Sequence, residues 1–342
     1  MSKGIVAGVT GTLSLLLLLF FKGAEVNAQE HSFRLLFYNV ENLFDIYDDP
    51  LKDDDEFLPG GTRRWNLKRY NSKLNSVYKA ITAAGEWSPP PLIALCEIEN
   101  RKVLEDLLYR TNFRKFDYGI LHEDSPDTRG IDVCLIFRQD LIEIIDYCYF
   151  TAPELISDDF ATRSILYASC LFSGDTIHFF INHWPSRRGG VLAGEPKRQI
   201  IAEMIRNKID SIAADKPHEV KIIVVGDFNT SPGDKVMKKL TFRSDSLVTL
   251  INLSDNLATG SGTYKYRGIW EMPDQVIVSD ALLNCRKGIC TGKDNFRIFD
   301  QDFLLMKDPG YPGLQPYSTW RAYNYLGGYS DHLPVILDLK VR

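Results

Sequence analysis

The chain has 342 residues, 44% hydrophobic and 25% charged, with a formal net charge of −5. That balance excludes a disordered or low-complexity chain and supplies apolar side chains for a large core. The acidic sign excludes a uniformly basic nucleic-acid binder, so a polyanion site must be a local basic patch or rest on a metal.

The N-terminus reads as a secretion leader. Lys3 gives the positive start, an apolar stretch runs from Ile5 to Phe21, and Val26-Asn27-Ala28 ends in the small-residue pattern of a cleavage site. Residues 1–28 are therefore expected to be removed, leaving Gln29 first in a secreted or periplasmic protein. The apolar core is short for a membrane span, and no Cys near the cut offers a lipid anchor. No stable membrane association is expected after cleavage, and the mature protein is expected to be a monomer. Losing Lys3 and Lys22 takes the 40 basic residues to 38, and losing Glu25 takes the 45 acidic ones to 44, a net charge of −6.

Phe33, Leu35, Phe37 and Asn39 alternate as one face of a strand, with Asn39 and Glu41 continuing its inward face. An acidic loop follows over Asp45–Gly61. Leu67, Tyr70, Leu74, Val77, Tyr78 and Ile81 recur at helical spacing and predict a helix over Asn66–Ala84, stopped by Gly85 and Pro89-Pro90-Pro91. Leu92–Glu97 is a short buried strand ending in a carboxylate, and Lys102–Arg110 a helix. Strands are predicted over Ile131–Arg138, Ile142–Phe150, Arg163–Phe172 and Thr176–His183, then an amphipathic helix over Glu195–Ile212.

Ile222-Ile223-Val224-Val225 reads as a strand buried on both faces. Gly226 lets the chain turn closely. Asp227 and Asn229, two apart, share one side of an extended chain. Ser231 is placed to cap a helix, with Pro232 in its first turn and Asp234 near its positive end. The plainer reading of this stretch is an Asx turn closing a strand. Pro273–Ser279 and Pro334–Val341 are further strands, and Ser254–Gly268 and Asp280–Tyr329 are rich in turn residues and predict long loops. Cys96, Cys134 and Cys170 sit in apolar runs as small buried residues, while Cys285 and Cys290 are spaced to bridge in an oxidising compartment. Strands in runs with a few long helices suit two packed sheets better than one doubly wound sheet. A single domain over 29–342 is the simplest organisation.

Several strands run into polar residues that packing does not require: Asn39 and Glu41, Glu97, His183, Asp227 with Asn229, Asp274, and Asp331-His332. An unpaired carboxylate is costly to desolvate, so this recurrence points to a shared cleft. Oxygen donors from Glu97, Asp227, Asp331, Asn39 and Asn229 suit a hard cation, Mg²⁺ or Mn²⁺, and Mg²⁺ in turn suits phosphate. Arg187 and Arg188, just after His183, are candidates to hold a polyanion, against the plainer reading of solvated surface charge. Asp132 is either a brace for His183 or a buried structural acid.

The segments Phe37-Tyr38-Asn39-Val40-Glu41-Asn42, Cys96-Glu97-Ile98-Glu99-Asn100, Arg129-Gly130-Ile131-Asp132-Val133, Asn182-His183-Trp184-Pro185-Ser186, Gly226-Asp227-Phe228-Asn229, Asp274 to Ser279 and Ser330-Asp331-His332-Leu333-Pro334 occur in this order. Together the chain resembles the endonuclease/exonuclease/phosphatase superfamily, in the form of a secreted bacterial member, over about Phe33–Val341. The resemblance implies an α/β four-layer sandwich, two mixed β-sheets packed face to face and flanked by helices, with the site at one end. It implies Glu97 as the main metal ligand with Asn39 supporting it, and Asp331 as a metal-side carboxylate. Asp227 would orient or deprotonate the attacking water, and Asn229 would lie beside the phosphate. His332 corresponds to the catalytic histidine oriented by Asp274, and His183 to a second histidine on the phosphate. The expected activity is a Mg²⁺-dependent phosphodiesterase acting on nucleic acid. The alternative is a phosphomonoesterase of inositol, sugar or lipid headgroups. A non-catalytic binding module on the same fold is expected to have lost motif residues, and none of the main ones is missing.

Overall fold

Alternating side chains divide each central strand between two environments, and that division builds the layers. In a computed structural model, which describes Met1 and residues 32–342 apart from 87, 156–161, 188–190, 217, 245, 247 and 259, the elements run as follows. The first part holds β1 (Ser32–Leu43), α1 (Leu67–Ala84), β2 (Leu92–Ile98), α2 (Arg101–Tyr109), β3 (Tyr118–His122), β4 (Asp132–Arg138), β5 (Glu143–Phe150), β6 (Ile165–Phe172) and β7 (Asp175–His183). Then come α3 (Val191–Ile212), β8 (Lys221–Asp227), α4 (Lys235–Thr241), β9 (Leu250–Asn252), β10 (Tyr264–Tyr266), β11 (Ile269–Glu271), β12 (Asp274–Ser279) and α5 (Asp280–Leu283). The last stretch adds β13 (Ile289–Cys290), β14 (Phe296–Ile298), β15 (Leu305–Lys307), β16 (Leu314–Pro316), β17 (Trp320–Arg321), β18 (Asn324–Tyr325) and β19 (Val335–Val341). The leader assigned to 1–28 has its residues from 2 onward, and Arg188 its whole side chain, outside the described residues.

One sheet has the order β13-β19-β1-β2-β4-β3, with β14 also on β19, and the other β5-β6-β7-β8-β12-β9. Both are mixed: β1 and β2 pair in parallel, as do β7 and β8, and the remaining pairs within these sheets are antiparallel. Phe33, Leu35 and Phe37 of β1 pack with Ile177, Phe179 and Ile181 of β7 and with Ile223 and Val225 of β8, between the sheets. The alternate β1 residues, Leu36, Tyr38 and Val40, face Val77, Ile81 and Leu104 of α1 and α2. On the far side, Ile222 and Val224 meet Ile201, Ile205 and Ile209 of α3 and Met237 of α4. Helices, sheet, sheet, helices make the four-layer sandwich. Each of these large side chains contributes about 1.5–3 kcal/mol of burial, which is why the register cannot slip by one residue.

Asn66 caps α1 by accepting from Lys68 N and Arg69 N, and Asn100 caps α2 by accepting from Val103 N. Where local signals were weaker, the chain departs from expectation. Strand β3 lies where none was predicted, and the stretches expected as long loops hold the hairpins β10/β11, β15/β16 and β17/β18. The helix expected to be capped by Ser231, with Pro232 in its first turn, starts at Lys235. Asp234 instead closes the preceding turn, accepting from Ser231 N at 3.0 Å and from the Thr230 hydroxyl at 2.5 Å. Cys285 and Cys290 are disulfide-bonded, whereas Cys96, Cys134 and Cys170 are free and buried. Among the described residues no helix is long and apolar enough to cross a membrane.

Candidate active site

The register that builds the inter-sheet core also assembles a polar row at one end of it. His183 lies opposite Asp227 in the parallel β7/β8 pair, and Asp227 lies opposite Asp274 in the antiparallel β8/β12 pair. Each continues an inward alternation: Ile177, Phe179, Ile181, His183 on β7; Ile223, Val225, Asp227 on β8; Val278, Val276, Asp274 on β12. Side chains opposite one another on a sheet face sit about 5 Å apart, so pairing alone brings the three together. Gly226 permits the close approach, since a Cβ there would meet Asn182 O at 2.2 Å.

The first sheet closes the site from the other side. Asn39 is 1% exposed and donates from Nδ2 to Asp227 Oδ2 at 3.0 Å and to Glu97 Oε1 at 3.5 Å, bridging the two sheets. Glu97 adopts φ 63°, where β2 shifts register against β4, and its Oε2 accepts from Asn42 N at 2.9 Å. Glu41, Asn42 and Asn229 are also left-handed, with φ of 52°, 54° and 50°. Such backbone costs on the order of 1–3 kcal/mol per residue and persists where surrounding contacts hold it. Asn229 therefore reaches the cavity through a turn rather than through extended alternation: its N–H donates to Asp227 Oδ1 at 2.9 Å and its Nδ2 to Trp184 O at 3.0 Å. The Asx turn is present and carries a cavity residue.

Behind the cavity Asp274, fully buried, accepts from His332 Nδ1 at 2.6 Å and from the Thr263 hydroxyl. Ser330 anchors the same segment by donating to Asn39 O at 2.7 Å and accepting from His332 N at 3.0 Å. The far ring nitrogen, Nε2, is 3.9 Å from Asp227 Oδ2. His183 Nε2 lies 3.7 Å from Asp227 Oδ2 and 3.8 Å from Glu97 Oε1. Glu97, His183, Asp227, Asn229, Asp331 and His332 line one cavity of about 640 Å³, with Asn39 and Asp274 supporting it from behind.

Electrostatics separate the two histidines. Burial opposes a charge on His332, but the Asp274 carboxylate, its hydrogen bond and the charges of Asp227 and Asp331 outweigh it and hold the ring protonated well above its usual value. Burial, with Arg163 and Arg129 adding to it, holds His183 neutral, well below that value. Asp227 is pushed up to about 7, by burial first and then by Asp274, against the pull of His332. Asp331 rises by burial and by the neighbouring Glu97 charge. Glu97 resists burial because Arg129, His332 and Arg163 hold it below the usual carboxylate range. The oxygens of Glu97, Asp227, Asp331 and Asn229 form a donor set suited to a hard divalent cation, whose charge would relieve the crowding of Asp227 and Asp331.

Three further findings revise the sequence picture. Glu41 does not extend the inward face of β1: it is buried and accepts from Thr319 N at 2.5 Å and Trp320 N at 3.0 Å, away from the cavity lining. Asp132 does not brace His183; its Oδ1 accepts from Ser125 N at 3.0 Å and its Oδ2 faces His122. Arg187 lines the cavity, but its guanidinium is engaged by Asn229 O at 2.9 Å, Glu271 at 3.2 Å and Asp234 at 3.5 Å. Cavity residues to which the sequence assigned no role are Arg129, quoted only as part of a motif and bonded to Asn42 Oδ1 at 2.6 Å, Arg163, paired with Asp127 at 3.1 Å, and Tyr264, whose ring centroid is 4.9 Å from that of His332. Arg163, two residues before β6, carries the same kind of strand-end signal that marks His183.

Residues 34–341 match the Endonuclease/Exonuclease/phosphatase family. An endonuclease/exonuclease/phosphatase structure from Bacteroides vulgatus aligns at TM-score 0.57 and 16% identity over 91% of this chain and 100% of that one. A mannosyl-6-phosphatase of Bacteroides thetaiotaomicron aligns at TM-score 0.57 and 14% identity over 90% and 99%. TDP2 of D. rerio, in complex with a single-strand DNA product, aligns at 0.54 and 12% over 90% and 98%. At these identities the likeness is one of fold. No curated protein matches the chain in sequence.

Proposed function

The chain belongs to the endonuclease/exonuclease/phosphatase family, and from that premise we propose that it is a secreted divalent-metal-dependent phosphodiesterase acting on nucleic acid. One observation carries the hydrolytic reading: His332, its Nδ1 bonded to Asp274 at 2.6 Å, presents Nε2 3.9 Å from Asp227 Oδ2 in a cavity rimmed by oxygen donors. Glu97 and Asp331 would hold Mg²⁺ or Mn²⁺, with Asp227 and Asn229 beside them, and the cation would neutralise charge on the phosphoryl oxygens. Asp227, its oxygens oriented by Asn39 and by Asn229 N–H, accepts the proton of the attacking water. The cationic His332 ring directs Nε2 at charge developing on phosphorus or the leaving oxygen, and neutral His183 offers a further hydrogen bond. Arg129 and Arg163 add fixed positive charge at the wall.

Tyr264 beside His332 and the half-exposed Tyr266 supply faces on which a base can stack. One observation favours a second reading, a phosphomonoesterase of a small sugar or inositol phosphate. The guanidinium of Arg187 is spent on Glu271, Asp234 and Asn229 O rather than held free for a flanking phosphate. The mature chain is also acidic, without the excess of basic residues that duplex binding uses. A Mg²⁺-dependent panel of plasmid DNA, RNA, bis-p-nitrophenyl phosphate, p-nitrophenyl phosphate and inositol phosphates decides. Cleavage of polymer and diester, weakening with salt, is expected; release of inorganic phosphate from monoesters with plasmid left intact would replace the diester reading. N-terminal sequencing of exported protein should begin at Gln29.

A further inference from the structure

A second histidine–aspartate cluster lies outside the cavity. His122 ends β3 and Asp132 opens β4, and His122 lies opposite Cys134, two residues from Asp132 on the same face. Both side chains are 1% exposed, and Nε2 of His122 and Oδ2 of Asp132 stand 3.7 Å apart. Among the described residues, neither atom has a hydrogen-bond partner. The carboxylate of Asp124, on the exposed loop between the two strands, completes a group whose ligand atoms all lie within 4.8 Å of one another.

The separation discriminates among ways of satisfying these atoms. A direct hydrogen bond would draw them to about 2.8 Å. A bridging water, at about that distance from each, would hold them roughly 4.5 Å apart. Two ligands at about 2.1 Å from a tetrahedral cation are about 3.4 Å apart, near the observed value. One imidazole nitrogen with two carboxylates is a borderline donor set, suited to Zn²⁺ or Mn²⁺ more than to Ca²⁺ or Mg²⁺. The other oxygen of Asp132 is fixed by Ser125 N, as expected of a ligand oriented from behind.

We infer that His122, Asp124 and Asp132 form a second cation site, for a transition-series divalent ion such as Zn²⁺, separate from the oxygen-rich centre around Glu97. Its consequence is local order. The loop between β3 and β4 carries Asp127, which pairs with Arg163, and Arg129, which bonds Asn42. A cation joining His122, Asp124 and Asp132 ties the two ends of that loop together, and the loop in turn sets one wall of the cavity.

The test uses the full mature chain carrying Glu97→Gln, which weakens the catalytic metal site, and Zn²⁺ alone as probe. Calorimetric titration should show one Zn²⁺ bound in the presence of millimolar Mg²⁺, and Zn²⁺ should raise the thermal midpoint by several degrees. Adding Asp124→Asn, an exposed position where the fold is preserved, should weaken Zn²⁺ at least tenfold and remove most of the thermal shift. His122→Gln should abolish both. Absence of Zn²⁺ binding would overturn the inference, and so would binding undiminished by Asp124→Asn in a chain that remains folded.

Discussion

Two buried His–Asp pairs, His332–Asp274 and His122–Asp132, are built from the same residue types and behave in opposite ways. In the first, Nδ1 meets Oδ2 at 2.6 Å, with Asp227 and Asp331 nearby, and the ring is held protonated. In the second the facing atoms are 3.7 Å apart and the ring is driven neutral by burial. The difference teaches that residue identity sets the available chemistry, while distance and surrounding charge select the protonation state. One pair is suited to meet a developing negative charge, the other to ligate a cation.

The largest expected effect separates the two regions by metal. Chelation should abolish turnover and Mg²⁺ or Mn²⁺ restore it, and Glu97→Gln should lose most activity with the fold retained; full activity in excess chelator would remove the metal from the mechanism. Next, Asp274→Asn should lower turnover on the order of 10²–10⁴-fold with little change in thermal midpoint. The double variant Asp274→Asn/His332→Ala should be hardly worse than His332→Ala alone, because the two act as a unit. Multiplicative losses would show instead that they work independently.

A third effect is on pH dependence. Because the folded His332 value is raised, the stabilisation of its cation is present in full below about 6.5 and is lost as pH rises through the higher folded value. Turnover should therefore persist well above pH 6.5 before its alkaline fall, and Asp274→Asn should move that limb to lower pH. The acid limb belongs to Asp227, about 7 without a cation, and bound Mg²⁺ should shift it below 7. An alkaline limb unmoved by Asp274→Asn would take His332 out of the profile. The smallest effect lies at the other pair: in chelator, Asp124→Asn should change unfolding stability by no more than about 0.5 kcal/mol, read from urea titration.

Much of this centre can be read from local pattern. Period-2 alternation ran from core residues into Asn39, His183, Asp227 and Asp274, and a strand that ends in a carboxylate needs a reason. The turn-rich C-terminal stretches were harder, because their short hairpins are stabilised by contacts with distant segments rather than by their own propensity. Thr263, which donates to Asp274, and Tyr264 beside His332 come from such a stretch, and nothing local marks them. Glu41 followed the alternation in sequence, yet its left-handed backbone turns it to the amides of Thr319 and Trp320, 278 and 279 positions away.

The sequence by itself determined which residues could do chemistry and at which strand ends they stand, because alternation and termination are properties of a few neighbouring residues. Tertiary structure decided which ends meet. The pairing of β8 with both β7 and β12 sets His183, Asp227 and Asp274 in one row, and packing of the sheets brings Asn39 and Glu97 against it. It also decided charge. Two histidines with the same ordinary pKa are shifted in opposite directions, because Asp274 and Asp227 beside His332, and the burial and arginines around His183, arrive from segments remote in the chain. Electrostatic energy depends on distance through space, and no local pattern encodes that distance.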